Sequence, residues 1–131
     1  MIIRKEIVAG LNERLSLNYT GQEQDWDLEL ADPNRITDFL NFIRDQNLSI
    51  EEKYAVMALV LSSYDDRLNY NPVSVADNEI WYSITELLNQ SPEIYSDLLN
   101  YWALWNNQRE EYLFAITKLV REYLTTFSAQ L

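Results

Sequence analysis

Only two glycines, Gly10 and Gly21, and three prolines, Pro33, Pro72 and Pro92, interrupt these 131 residues. Each proline falls between stretches whose apolar residues recur at helical spacing, and proline breaks a helix interior while fitting its first turn. The chain therefore reads as all-α: a compact bundle of about six antiparallel or orthogonal helices in one domain spanning 1–131. At 47% hydrophobic and 24% charged it is not disordered, and a domain of this length buries roughly two-thirds of its unfolded surface. A HEAT-type stack is the alternative architecture, disfavoured because no self-similarity appears at a period of about 40 residues.

The first helix, from Ile2 to about Ser16, carries Ile3, Ile7, Val8, Leu11 and Leu15 inward, with Gly10 costing about 1 kcal/mol relative to alanine. Residues 17–32 form the longest irregular stretch. There Trp26, Leu28 and Leu30 alternate with Asp25, Asp27 and Glu29 as in a short extended segment, read as a loop over the core. Asp32 as N-cap and Pro33 at the first helical position open a second helix to about Gln46, with Ile36, Phe39, Leu40 and Ile43 on one face. Ser49 and Glu52 form a capping box for a third helix, 50–68. Its apolar side chains point almost all round, which makes it the central helix of the bundle.

Ser74 and Asp77 read as the cap of a fourth helix, whose Ile80, Trp81, Ile84, Leu87 and Leu88 face inward up to Gln90. Ser91, Pro92 and Glu93 open a fifth, with Ile94, Leu98, Leu99, Trp102 and Trp105 inward, broken at Asn106 and Asn107. A sixth is expected from about Gln108 to the C-terminus, with Leu113, Ile116, Val120, Tyr123, Leu124 and Phe127 on one face. Lys118 and Arg121 lean toward its negative dipole end. Phe114 falls off that face, placed to pack on a neighbouring helix or to support self-association.

The chain contains no cysteine and no histidine, which removes disulfides, thiol nucleophiles, Cys/His zinc sites and every histidine acid, base or ligand. Carboxylate-only cation sites are the remaining metal chemistry, from Glu51–Glu52, Asp65–Asp66, Glu110–Glu111 or Glu93 with Asp97. Most of these acids open a helix, where the dipole favours them, and none is expected to bind metal. Asp65–Asp66 is the exception, since it opposes the dipole near a helix end. No Ser-x-x-Lys string or glycine-rich phosphate loop occurs. The residue types present point away from an enzyme and call for no cofactor. Met1, Ile2 and Ile3 run at once into Arg4, Lys5 and Glu6, which gives no signal-peptide core, and the longest apolar run, Tyr54–Leu61, is far short of the roughly 20 residues of a membrane span. A cytoplasmic location is the expectation.

A net charge of −11 disfavours nucleic acid or an anionic membrane as ligand and favours a basic partner. From Leu68 to Gln108 there are five acids, no lysine or arginine, and seven aromatics. On the fourth helix Tyr82 and Glu86 lie within about 60° of Glu79 and away from the apolar stripe. On the fifth, Glu93, Asp97 and Leu104 share the polar side and Tyr101 borders it. Tyrosine and leucine among uncompensated carboxylates suit a basic protein surface, so the candidate partner-binding residues are Glu79, Tyr82, Glu86, Glu93, Asp97, Tyr101 and Leu104. Glu23, Asp25, Asp27, Glu29 and Asp32 around Trp26 form a second acidic run on the long loop.

The string Ser96-Asp97-Leu98-Leu99-Asn100-Tyr101-Trp102 loosely resembles the short acidic-aromatic helix of nuclease-colicin immunity proteins. It lacks that family's paired tyrosines and sits in a longer chain with more helices. The leading expectation is an acidic protein-binding module of the immunity or inhibitor type, masking a basic toxin domain. A regulatory or structural subunit docking through Phe114 or the tryptophans is the alternative. A small-molecule binder or cryptic enzyme, marked by a cavity among the aromatics, is the third reading.

Overall fold

The computed structural model describes residues 1–70 and 75–130, with side chains for 1–70 and 78–127. Among them the chain is all-helical, in the order α1 (Lys5–Leu15), α2 (Trp26–Glu29), α3 (Ile36–Asp45), α4 (Ile50–Tyr70), α5 (Val75–Gln90), α6 (Pro92–Ala103), a 3-10 turn (Glu110–Tyr112) and α7 (Thr117–Gln130). The expected central helix is α4, in which every residue from Tyr54 to Asp65 is buried. α1, α2, α3 and α6 pack against it, α5 bridges α3 and α6, and α7 lies on α6. A helix apolar on all sides is stable only when wrapped in this way, each fully buried Leu or Val contributing about 1.5–3 kcal/mol.

The Ser49–Glu52 capping box forms in full. Ser49 N–H donates to Glu52 Oε1 at 2.9 Å, and Glu52 N–H donates to Ser49 Oγ at 3.2 Å. Arg14 of α1 completes it with an ion pair to Glu52 at 2.7 Å, while Arg4 reaches Glu51 at 2.9 Å. Both first-turn acids of α4 therefore fasten α1 across it.

The structure corrects four local readings. Residues 26–29 are a helical turn, closed by Leu28 and Glu29 N–H donating to Asp25 C=O and Leu30 N–H to Trp26 C=O. Trp26 and Leu30, four apart, satisfy both a helical and an alternating period and pack on the core, but Leu28 is 40% exposed. Asp32 does not cap α3. Its Oδ1 accepts from Asn34 N–H in a turn around Pro33, and the helix starts only at Ile36. The last helix begins at Thr117, not 108, because α6 ends with Leu104 in the left-handed region (φ 47°) and the chain needs a connection to reverse. That reversal turns Trp105 outward, to 46% exposure. The Ser74–Asp77 cap lies outside the described residues.

Among the described residues no helix is long and apolar enough to cross a membrane.

Candidate protein-binding face

α6 is positioned from both ends. Pro92 occupies its first turn, where the missing N–H costs nothing, and at its far end the Arg121 guanidinium of α7 donates to Ala103 O and Leu104 O at 2.6 Å and Asn107 O at 2.8 Å. One cation thus satisfies the carbonyls that a helix C-terminus leaves without partners and complements its dipole. The guanidinium also lies 5.7 Å from the Trp105 ring centroid, and Trp105 Nε1 donates to Asn100 Oδ1 at 3.2 Å. Tyr95, Leu98, Leu99, Trp102 and Ala103 face inward.

The outer side carries Glu93, Asp97 and Tyr101, all exposed, with Leu104 half-buried just past the helix end. Tyr101 is 51% exposed yet held in place. Trp102 meets it edge-on at 5.2 Å and Phe114 stacks on it at 5.7 Å. Phe114 also packs against Trp102 at 4.8 Å, so its ring belongs to the platform under Tyr101. Tyr101, Leu104 and Trp105 border an open concavity of about 630 Å³.

The acidic loop comes to the same place. Burial, then the charges of Asp27, Asp25 and Asp65, raise the Tyr101 phenol above its ordinary pKa. Burial followed by Asp97 and Asp27 does the same to Tyr54. Desolvation raises the Asp27 carboxyl, with Asp25 adding like-charge repulsion. Residues 25–27 and α6, some 70 positions apart in the sequence, thus lie within electrostatic reach of one another. α2 is pinned there through α4: Ser62 Oγ donates to Asp27 O at 2.6 Å, and Asp32 N–H donates to Ser63 Oγ at 2.9 Å.

The expected residues divide into two groups. Asp97, Tyr101 and Leu104 gather at the α6 face, and Glu93 sits at that helix's start. Glu79, Tyr82 and Glu86 are exposed on α5, Tyr82 at 66%. Glu79 borders a groove with Arg44 and Arg67, so its charge has bases nearby. Asp97 is not uncompensated either, because the N-terminal ammonium of Met1 pairs with it at 3.1 Å. Sequence spacing missed Trp105, whose exposure depends on the Leu104 turn, and the approach of Asp25 and Asp27, which depends on tertiary packing.

Asp65 is not a surface carboxylate. It is 8% exposed and accepts from Ile116 N–H at 2.9 Å. Among the described residues no group of three or more acids is gathered to hold a metal ion. No known family, curated protein or solved structure matches the chain.

Proposed function

We propose that this chain is an acidic protein-binding module that masks a basic partner, in the manner of an immunity or inhibitor protein facing a cationic toxin domain. The observation that carries the reading is Tyr101: half-exposed, held by Trp102 and Phe114, and surrounded by the fields of Asp25, Asp27 and Asp65. An ordered aromatic among carboxylates offers contact area at low entropic cost, together with a field that steers a cation toward it. Leu104 and Trp105 supply adjacent apolar surface, and Asp97 and Glu93 extend the charge along α6. Glu79, Tyr82 and Glu86 add negative field and a second exposed ring outside that centre. A binding role needs no catalytic group, and a cytoplasmic site of action fits a chain without cysteine.

The test is the association rate of the intact chain with a basic protein recovered on it from its native source. On this reading the on-rate falls steeply with salt, and Tyr101→Ala or the pair Asp25→Asn, Asp27→Asn weakens binding while the fold persists. A partner whose association ignores both salt and these substitutions overturns the reading.

A further inference from the structure

A second groove lies where the end of α3, the start of α4 and the α5–α6 junction meet. It holds about 230 Å³ and is lined by Arg44, Gln46, Asn47, Lys53, Ser91 and Tyr95 among others, with no carboxylate in its walls. Its cations stand apart in this acidic molecule. Arg4, Arg14, Arg35, Arg109 and Lys118 pair with acids. Lys5 and Arg121 donate to backbone carbonyls, and Arg67 is also engaged. Arg44 and Lys53 have no hydrogen-bond or ion-pair acceptor among the described residues, and both line this groove, although Arg44 also borders the groove that holds Glu79.

The hydroxyls tell the same story. Tyr95 is 1% exposed, yet its phenol has no hydrogen-bond partner among the described residues. The Tyr95 side chain is enclosed, but its hydroxyl opens to the groove and is not among the fully enclosed polar atoms without a partner, so it is free to meet a ligand there. Burial alone pushes its pKa up to about 12, so at neutral pH it is a proton donor. Ser91 stands at the N-cap position of α6 without making a side-chain cap bond.

From two unpaired cations and two unpaired hydroxyls converging on one cavity, we infer that this groove binds the phosphate group of a small soluble molecule. A phosphate monoester carries about −1.5 to −2 charges and three acceptor oxygens, which two cations and two hydroxyls match. A carboxylate would leave one cation unanswered. The volume lies below the roughly 300 Å³ at which larger ligand pockets begin, so the organic part is small. Glu93 and Asp45, the nearest acids along α6 and α3, do not line the groove. A net charge of −11 opposes approach to an anionic bilayer, which favours a soluble phosphate over a lipid headgroup.

The test titrates inorganic phosphate, and separately methyl phosphate, into the isotope-labelled intact chain at constant ionic strength with chloride as the balancing anion. Both are expected to give saturable amide shifts centred on Asn47, Lys53 and Ser91. Arg44→Gln and Lys53→Gln should each weaken binding about tenfold, the loss expected for one charge-assisted hydrogen bond. Tyr95→Phe should weaken it too, with a melting temperature equal to or above that of the parent chain. Shifts that stay linear throughout the titration overturn the inference, as do saturable shifts that survive both cation substitutions. Sedimentation with phosphatidic-acid vesicles without any response to inorganic phosphate overturns the assignment to a soluble ligand.

Discussion

The carboxylate of Asp65, buried in α4, accepts the backbone N–H of Ile116 at 2.9 Å across 51 residues of sequence. Ile116 immediately precedes α7. A side chain from the central helix thus anchors the start of the last one. Asp65→Ala leaves the Ile116 N–H without its acceptor and is expected to destabilise the fold by about 1–3 kcal/mol, read as a lower urea midpoint at neutral pH.

The same carboxylate gives a pH signature. Burial raises its pKa above the ordinary 3.8, the Ile116 hydrogen bond opposes this, and the Asp66 charge adds to the rise. Between 3.8 and the raised value the folded chain retains a proton that the unfolded chain has lost. Stability therefore falls as pH rises through that window, and the cost of the charge is fully present above it. Asp65→Asn keeps an acceptor for Ile116 and removes the charge. Its stability relative to the parent should climb through this window and level off above it, whereas parallel stability curves would refute a buried ionised Asp65.

Glu52 has the opposite sign. Ser49 N–H, followed by the Ser49 hydroxyl and Arg14, holds its carboxyl below the ordinary 4.5 against a desolvation that pushes up. Its contribution is present above 4.5 and lost as pH falls through the lowered value. Glu52→Gln should therefore cost stability at pH 7 and become equivalent to the parent in strong acid. Ser49→Ala, which removes the other half of the box, should cost about 1 kcal/mol. Denaturant titrations of both variants at neutral and acid pH provide the check.

Arg121 closes α6 by reaching three carbonyls at once. Lysine carries the charge but lacks the planar fork. Arg121→Lys is expected to lose about 2 kcal/mol, since hydrogen bonds from charged donors are worth roughly that, and to release Trp105 from the guanidinium above it. A blue shift or unchanged intensity of Trp105 fluorescence on this substitution, measured with the other tryptophans replaced by phenylalanine, would contradict the release.

What could be read from the sequence depended on the range of the interaction responsible. The all-round apolar pattern of 50–68 needs only helical periodicity to mark a wrapped helix, and the Ser49–Glu52 box is a contact three residues long. The inward set of α6 through Trp102 follows the same rule. Trp105 breaks it, because Leu104 adopts a left-handed conformation that no glycine announces, stabilised from α7 by Arg121. By spacing alone Asp65 is an acid opposing the dipole near a helix end, but its partner comes from a segment whose helical periodicity hid the break at 113–116. The acids were legible as a composition; that Asp25 and Asp27 share a field with Tyr101, while Glu79 borders a groove with Arg44 and Arg67, is a product of packing.

Tyr82 and Tyr101 separate the centre of the proposed face from its surroundings. Both are exposed, at 66% and 51%. Tyr101 is seated on Trp102 and Phe114 within the electrostatic reach of Asp25, Asp27 and Asp65, whereas Tyr82 has no ring contact among the described residues. An aromatic already ordered before binding gives up less side-chain entropy than a free one, and binding energy concentrates in such residues. Tyr101→Ala should weaken a basic partner by about tenfold or more, mainly through faster dissociation, while Tyr82→Ala changes affinity by no more than about threefold. Calorimetry of the two single variants and the double variant decides the matter. A larger loss at Tyr82 would move the centre of binding onto α5, where Glu79 and Glu86 would become its flanking charges.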